Sequence, residues 1–348
     1  LGEIDTIMKL QISSGDPLLY DFELPLSATY YFLGFPIQIF TNSPDVLAAA
    51  EESWGMFDNT QHVPPLQIKI GVLPGSSNEL PHAPVVRGRG HLLTQVADSE
   101  NFMVMDARQG LAFGWVTEAA ASNLAYLRYY FVEGTAWMLL ESLYLTSVHG
   151  ACVVLNGHGV LLCGDSGAGK SSLAYACAQN GWKFLSDDSS CLIRKRPGRI
   201  ITGNPRQMRF RESAIQLFPE LIHQRVSPKA TGEMAIELAT ASNPKIEMIS
   251  EASVDYIVFL NRFDSLPDGL VRFSKWKALD WLRQVVCYGD ESVRTAHYAT
   301  LLNLLAAEVF EMRYSQMDSA LRLLEMLVER GPAVANKGFV VAEERQNA

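Results

Sequence analysis

The chain has 348 residues, 48% apolar and 19% charged, an ordinary composition for a globular protein and more chain than one compact core holds, so two lobes are expected. A formal charge of −9 argues against a broad nucleic-acid footprint or attachment to an anionic membrane surface. The five cysteines, Cys152, Cys163, Cys177, Cys191 and Cys287, are odd in number and form no Cys-x-x-Cys pair, which excludes a disulfide frame or zinc site and reads as buried thiols in a reducing compartment.

No basic, apolar, small-residue leader is expected at the start. Tyr30 to Phe40 reads as two short strands around a turn, and Ser43-Pro44-Asp45 supplies a cap, a first-turn proline and a first-turn acid for a helix through Phe57. Leu66 to Ile70 alternates like a strand with one wet face, Gly71 to Pro84 reads as a loop, and Phe102 to Asp106 and Leu111 to Val116 read as strands. These make an α+β lobe with a mostly antiparallel sheet, suited to substrate recognition or oligomer contact. His62, His82 and His91 are irregularly spaced and read as surface or turn histidines. From Glu118 to Thr146 the apolar spacing predicts a long helix broken near Gly134, and Arg128, Glu133 and Glu141 rule out a membrane span there.

Asn156-Gly157 between two apolar runs predicts a tight hairpin. The run Gly159 to Cys163 then leads into Gly164-Asp165-Ser166-Gly167-Ala168-Gly169-Lys170-Ser171, two glycines five apart followed by Lys and Ser, which is the phosphate-binding loop pattern. Glycines let successive backbone N–H groups turn inward around a phosphate as the loop enters a helix. Lys170 reaches the β/γ oxygens, and Ser171 offers a hydroxyl to Mg²⁺. Lys170 to Asn180 has helical spacing, with Gly181 as its stop. A helix of about eleven residues climbs roughly 16 Å, and the strand Trp182 to Ser186 returns about as far, so Asp187 and Asp188 come back level with the loop. Phosphoryl transfer to a hydroxyl needs a metal ligand and a proton acceptor, and two adjacent carboxylates divide those roles.

His149-Gly150, the hairpin Ala151 to Cys163, the loop and the triplet Ser186-Asp187-Asp188 resemble the catalytic domain of bacterial HPr kinase/phosphorylase in order and spacing. The resemblance is strong over residues 148 to 192. It implies an α/β catalytic domain of the HPr kinase/PEP carboxykinase-like type, with Asp187 as base towards a substrate serine, His149 beside it and Lys170 on the phosphates. It also implies ATP held by Gly164 to Ser171 and Ser172, and Mg²⁺ held by Ser171 and Asp188, with Glu212 as a second acidic ligand. Met208 to Glu212 lies where the family has an Arg- and Glu-containing motif, but Ser213-Ala214-Ile215-Gln216 departs from its continuation, so a relative acting on another acceptor is expected. Of Arg206, Arg209 and Arg211, Arg209 is assigned to the γ-phosphate. Arg194, Lys195, Arg196 and Arg199 read as the solvated tip of a hairpin.

Ser227 to Gly232 reads as a loop whose Lys229 closes over the site. Val254 to Leu260 reads as a buried strand, and Asn261 to Asp264 as a superficial match to a guanine-reading motif. Ser274 to Val286, Glu291 to Ala307 and Met317 to Arg330 read as helices, with a strand over Val309 to Tyr314. The expected organisation is an N-terminal lobe over 1–146, a kinase domain over 147–331 and a tail over 332–348. The expected activity is ATP-dependent transfer of the γ-phosphate to a Ser/Thr hydroxyl of a peptide or protein, in a cytoplasmic homo-oligomer that engages neither nucleic acid nor membrane. A kinase of a small hydroxylated metabolite such as free serine, and a nucleotide-dependent switch without transfer chemistry, are the alternatives.

Overall fold

A computed structural model describes residues 23–228, 234–262 and 267–336. Lys229, Phe263-Asp264, the first 22 residues and the chain beyond Asn336 lie outside them, and with them the lid and the end of the guanine-like stretch. Contact density divides the chain into Leu1–Leu140 and Glu141–Ala348.

The first unit holds a seven-stranded sheet of β1 (Leu26–Phe32), β2 (Phe35–Thr41), β3 (Leu66–Leu73), β4 (Val85–Arg89), β5 (Leu92–Val96), β6 (Phe102–Asp106) and β7 (Leu111–Thr117). Their spatial order is β1-β2-β3-β7-β6-β5-β4. Only β2–β3 and β3–β7 are parallel, so the sheet is mostly antiparallel as expected. Parallel neighbours need a crossover, and the helix Pro44–Trp54 supplies it between β2 and β3, capped by Ser43 Oγ accepting from the Asp45 N–H. Alternation buries Ile37, Ile39, Ile68 and Ile70 on one face, and Trp54 stacks on Phe32 at 5.3 Å between ring centroids. The hairpin β4–β5 was not foreseen. Its outer strand β4 lies at the sheet edge and is almost wholly exposed, while β5 buries Gln95 and exposes Leu92 and Val96, so its letters do not mark the inward face.

The helical stretch after β7 departs from the single broken helix expected. Glu118–Ser122 is helical, Leu127–Glu133 is a wide π turn whose register shows in the Gly134 N–H donating to the Tyr129 carbonyl, and Gly134–Leu143 is helical again. Thr146 belongs to a strand, β8 (Leu145–His149), in the second unit.

In the second unit the main sheet comprises β8, β9 (Ala151–Leu155), β10 (His158–Cys163), β11 (Lys183–Ser186), β12 (Ser189–Ile193) and β13 (Ile200–Gly203). It continues with β17 (Glu247–Met248), β18 (Glu251–Arg262), β19 (Gly269–Arg272) and β20 (Glu308–Tyr314), in the order β17-β11-β9-β10-β18-β13-β12-β8, with β20 against β18 and β19. A smaller sheet, β14-β16-β15, is built from β14 (Gln207–Phe210), β15 (Arg225–Pro228) and β16 (Met234–Ala239). The β9–β10 hairpin turns at Asn156 and Gly157, both at positive φ (51° and 84°), as Asn-Gly predicts. Helices Lys170–Gln179 and Met317–Arg330 contribute to one core cluster, helices Lys275–Leu282 and Glu291–Leu304 to a second. Cys152, Cys163, Cys177 and Cys191 are buried free thiols, and Cys287 is half-buried. No helix of the described residues is long and apolar enough to cross a membrane.

Candidate functional site

The loop 164–169 leaves the end of β10 and enters the helix Lys170–Gln179. Gly164, Gly167 and Gly169 hold φ of 143°, 92° and 97°, backbone that an L side chain resists, so these glycines are required by conformation. Lys170 is buried and folds its ammonium back onto the loop, donating to the carbonyls of Gly164 at 2.7 Å and Asp165 at 3.2 Å. Burial holds its pKa below the ordinary lysine range, and the largest opposing influence is the Asp188 carboxylate. Asp188 and the cation of the loop are therefore within electrostatic reach of one another. Ser171 and Ser172 occupy the first turn of the helix, half-buried.

Asp187 and Asp188 form the turn between β11 and β12. Hydrogen bonds on both sides fasten this turn. Ser186 Oγ and Ser190 Oγ lie 2.5 Å apart, Ser190 Oγ donates to the Gly150 carbonyl at 2.9 Å, and the Gly150 N–H donates to the Asp188 carbonyl at 3.0 Å. Gly203 passes so close that a Cβ there would stand 2.6 Å from Ser186 Cβ. Asp187 is half-buried and accepts the Arg209 N–H on Oδ2 at 2.8 Å. Burial pushes its pKa up to about 7, against the lowering effect of that N–H. Asp188 is exposed, with Oδ1 3.3 Å from His149 Nδ1. His149 ends β8 and pairs in register with Ser189.

Three side chains grip the variable positions of the loop from three other elements. Trp281 Nε1 donates to Asp165 Oδ1 at 3.2 Å, Arg211 Nη2 to Ser166 Oγ at 2.8 Å, and Tyr314 Oη to the Ala168 carbonyl at 3.2 Å. Trp281 also stands 6.1 Å from the His149 ring and edge-on to Phe259. The assignment of Arg209 to the phosphates is corrected. Its guanidinium pairs with Glu237 at 3.2 Å and its backbone N–H and charge act on Asp187, while Arg211 is the arginine bonded to the loop. Alternation alone would put residues 209 and 211 on the same face; the difference is that β14 ends at Phe210, so Arg209 is held in the ladder opposite Glu237 while Arg211 lies beyond it. Trp281 and Tyr314 went unread because their contacts span 116 and 146 positions. Glu212 stands exposed at the start of the turn Glu212–Gln216, joined to none of these groups by a hydrogen bond or ion pair among the described residues.

Residues 143–212 match the family model described as HPr Serine kinase C-terminal domain. The HPr kinase/phosphorylase of Lactobacillus delbrueckii subsp. bulgaricus is 35% identical over 72 residues, 21% of this chain and 23% of that protein. That of Bordetella pertussis is 41% identical over 63 residues, 18% of this chain and 20% of that protein. The chain thus spans only about a fifth to a quarter of the length of these curated relatives. A solved structure of the HPr(Ser) kinase/phosphatase from Coxiella burnetii aligns at 15% identity with 53% of this chain and 94% of its own, with a TM-score of 0.29. The matched segment contains His149, the whole glycine loop, the acid pair and Arg211, and over that segment the chain is similar to the HPr kinase C-terminal domain.

Proposed function

We propose that the second unit is an ATP-dependent kinase that transfers the γ-phosphate to a serine or threonine hydroxyl of a peptide or protein. The observation that carries this reading is the run of contacts from the glycine loop to the acid turn, Asp165 to Trp281, Trp281 to the His149 ring and His149 to Asp188, because a phosphate cradle beside a pair of carboxylates is what hydroxyl phosphorylation requires. In this reading the N–H groups of Gly164 to Ser171, with Ser172 behind them, cradle the phosphates of ATP. Lys170 leaves the Gly164 and Asp165 carbonyls for the β/γ oxygens, and Arg211 adds a second cation at Ser166.

Asp187 is the proton acceptor. The Arg209 N–H fixes Oδ2, which leaves Oδ1 for the acceptor hydroxyl. His149 holds Oδ1 of Asp188, orienting that carboxylate. The donor chemistry fits Mg²⁺: Asp188 is exposed and oxygen-bearing, Ser171 opens the helix, and Mg²⁺ takes one or two carboxylates with the rest of its shell from phosphate and water. Ser171 and Asp188, with Glu212 by family likeness, would hold the ion, which would neutralise charge between the β and γ oxygens.

The test is labelling. The chain is offered γ-labelled ATP and Mg²⁺ with candidate peptides, proteins encoded nearby and free serine, and the label is located by mass spectrometry. Asp187→Asn retains the hydrogen bond from the Arg209 N–H through its amide oxygen and loses the base. Transfer should fall on the order of 10²- to 10⁴-fold with ATP affinity nearly unchanged. An Asn variant that labels its acceptor at the normal rate removes the base assignment, and label on free serine alone replaces the peptide acceptor.

A further inference from the structure

The basic run at the tip of the β12–β13 hairpin does not simply splay into solvent. Arg194 is half-buried, its Nη1 donating to the Leu145 carbonyl at 2.7 Å. With Arg196 and Arg199 it lines a cleft of about 210 Å³ whose other wall is the helix Glu291–Leu304, contributing Thr300 and Asn303. Asn303 Nδ2 donates to the Gly198 carbonyl at 3.1 Å, which ties that helix to the hairpin tip and leaves its amide oxygen over. No Asp or Glu lines the cleft, in a chain whose formal charge is −9.

The three guanidiniums are held in place without being used up. Arg196 pairs with Glu251, and Arg199 donates from Nε to the Val254 carbonyl at 2.6 Å and sits 3.4 Å from Asp255. A guanidinium has five N–H donors, and each of these spends one or two of them on such contacts. Burial lowers the pKa of Arg194 to about 10, so it stays a cation at neutral pH. Leu192 and Leu304 supply an apolar floor.

We propose that this cleft is a binding site for a small dianionic metabolite, one carrying phosphate or carboxylate groups on a short apolar body. Fixed planar forks with spare donors are what bidentate oxyanion recognition uses. The volume is below the range of roughly 300–1,000 Å³ typical of drug-sized ligands, which favours a small ligand over a nucleotide. The site is distinct from the glycine loop. β12 begins at Ser189 beside the acid pair and ends at Ile193 beside the cleft, so the two lie at opposite ends of a five-residue strand, about 13 Å apart.

The experiment titrates succinate and, separately, inorganic phosphate into the full chain by calorimetry, in a Lys170→Ala background so that the glycine loop does not contribute. Saturable binding of either probe is expected, with affinity falling at least ten-fold in Arg196→Gln. Ala299 is exposed on the cleft wall, so Ala299→Trp blocks the cleft without disturbing the core and should abolish binding. Succinate alone binding assigns the carboxylate class, and phosphate alone the phosphoryl class. The site is overturned if neither probe saturates, or if both variants bind as tightly as their parent.

Discussion

His297 gives a sharp test of how the second unit is held together. It sits on the helix Glu291–Leu304, 8% exposed, with Nε2 3.1 Å from the Glu141 carbonyl. A carbonyl accepts only, so Nε2 carries the hydrogen. Burial lowers the pKa of His297 from 6.5 to about 4, the Glu141 hydrogen bond opposes this, and the nearby Arg194 charge adds to it. The folded pKa lies below the unfolded one, so between pH 6.5 and 4 the unfolded chain binds the extra proton and stability rises with pH. The contribution is complete above pH 6.5 and lost as pH falls towards 4. At about 1.36 kcal/mol per unit the full span is worth about 3 kcal/mol, of which about 2 kcal/mol is lost by pH 5. Urea unfolding of the second unit, compared between wild type and His297→Gln at pH 8, 6 and 5, isolates the difference. Gln still donates to the Glu141 carbonyl but does not titrate, so the variant should lose less stability on acidification by those amounts. Parallel pH profiles for the two proteins would refute the buried neutral imidazole.

Two further predictions concern the site. A Cβ on Gly203 would meet Ser186 Cβ at 2.6 Å, an atom fixed to the backbone that no rotamer change moves away, so Gly203→Ala should cost about 1–3 kcal/mol by overpacking. Because Ser186 adjoins the acid turn, nucleotide-dependent transfer should fall as well, and an unchanged denaturation midpoint would contradict the contact. Arg211→Ala removes the bond to Ser166 Oγ and should weaken a fluorescent ATP analogue by about two- to ten-fold, the worth of one hydrogen bond of about 0.5–1.5 kcal/mol. Arg209→Ala, which keeps the backbone N–H on Asp187, should leave that affinity nearly unchanged. The opposite ranking would restore Arg209 to the phosphates.

What could be read in advance was local. Positive-φ glycines, the Asn156-Gly157 turn and the Ser43 cap are each decided within a few residues, so their signals sit in the letters themselves. The helix Met317–Arg330 was legible for the same reason, its apolar residues falling on one face. β8 was not, because Leu145 to His149 is buried for most of its length and continues an apolar helix without punctuation, so neither period shows. The choice between Arg209 and Arg211 was equally closed to local reading. It depends on which residue leaves β14 at its end, and on Glu237 from β16 standing opposite Arg209 in register.

The nearness of the loop to the acid pair was expected from lengths alone, a helix climbing and a strand returning, and lengths fix only the height. Lateral position comes from pairing. β9 lies between β10 and β11 and is antiparallel to both, so β10 and β11 run the same way and finish at the same edge of the sheet. Two strand spacings separate them, about 10 Å. That gap would have stranded the carboxylates beyond reach of Lys170 if the turn pointed along β11. The Gly150 N–H, at the corner between β8 and β9, instead takes the Asp188 carbonyl, and Ser190 takes the Gly150 carbonyl, so the turn is drawn over β9 towards the loop. A single corner glycine, carrying both bonds through its backbone, thus ties the acid turn to the β8–β9 corner. Residues 143–212, the segment that the family model matches, hold every part of that device.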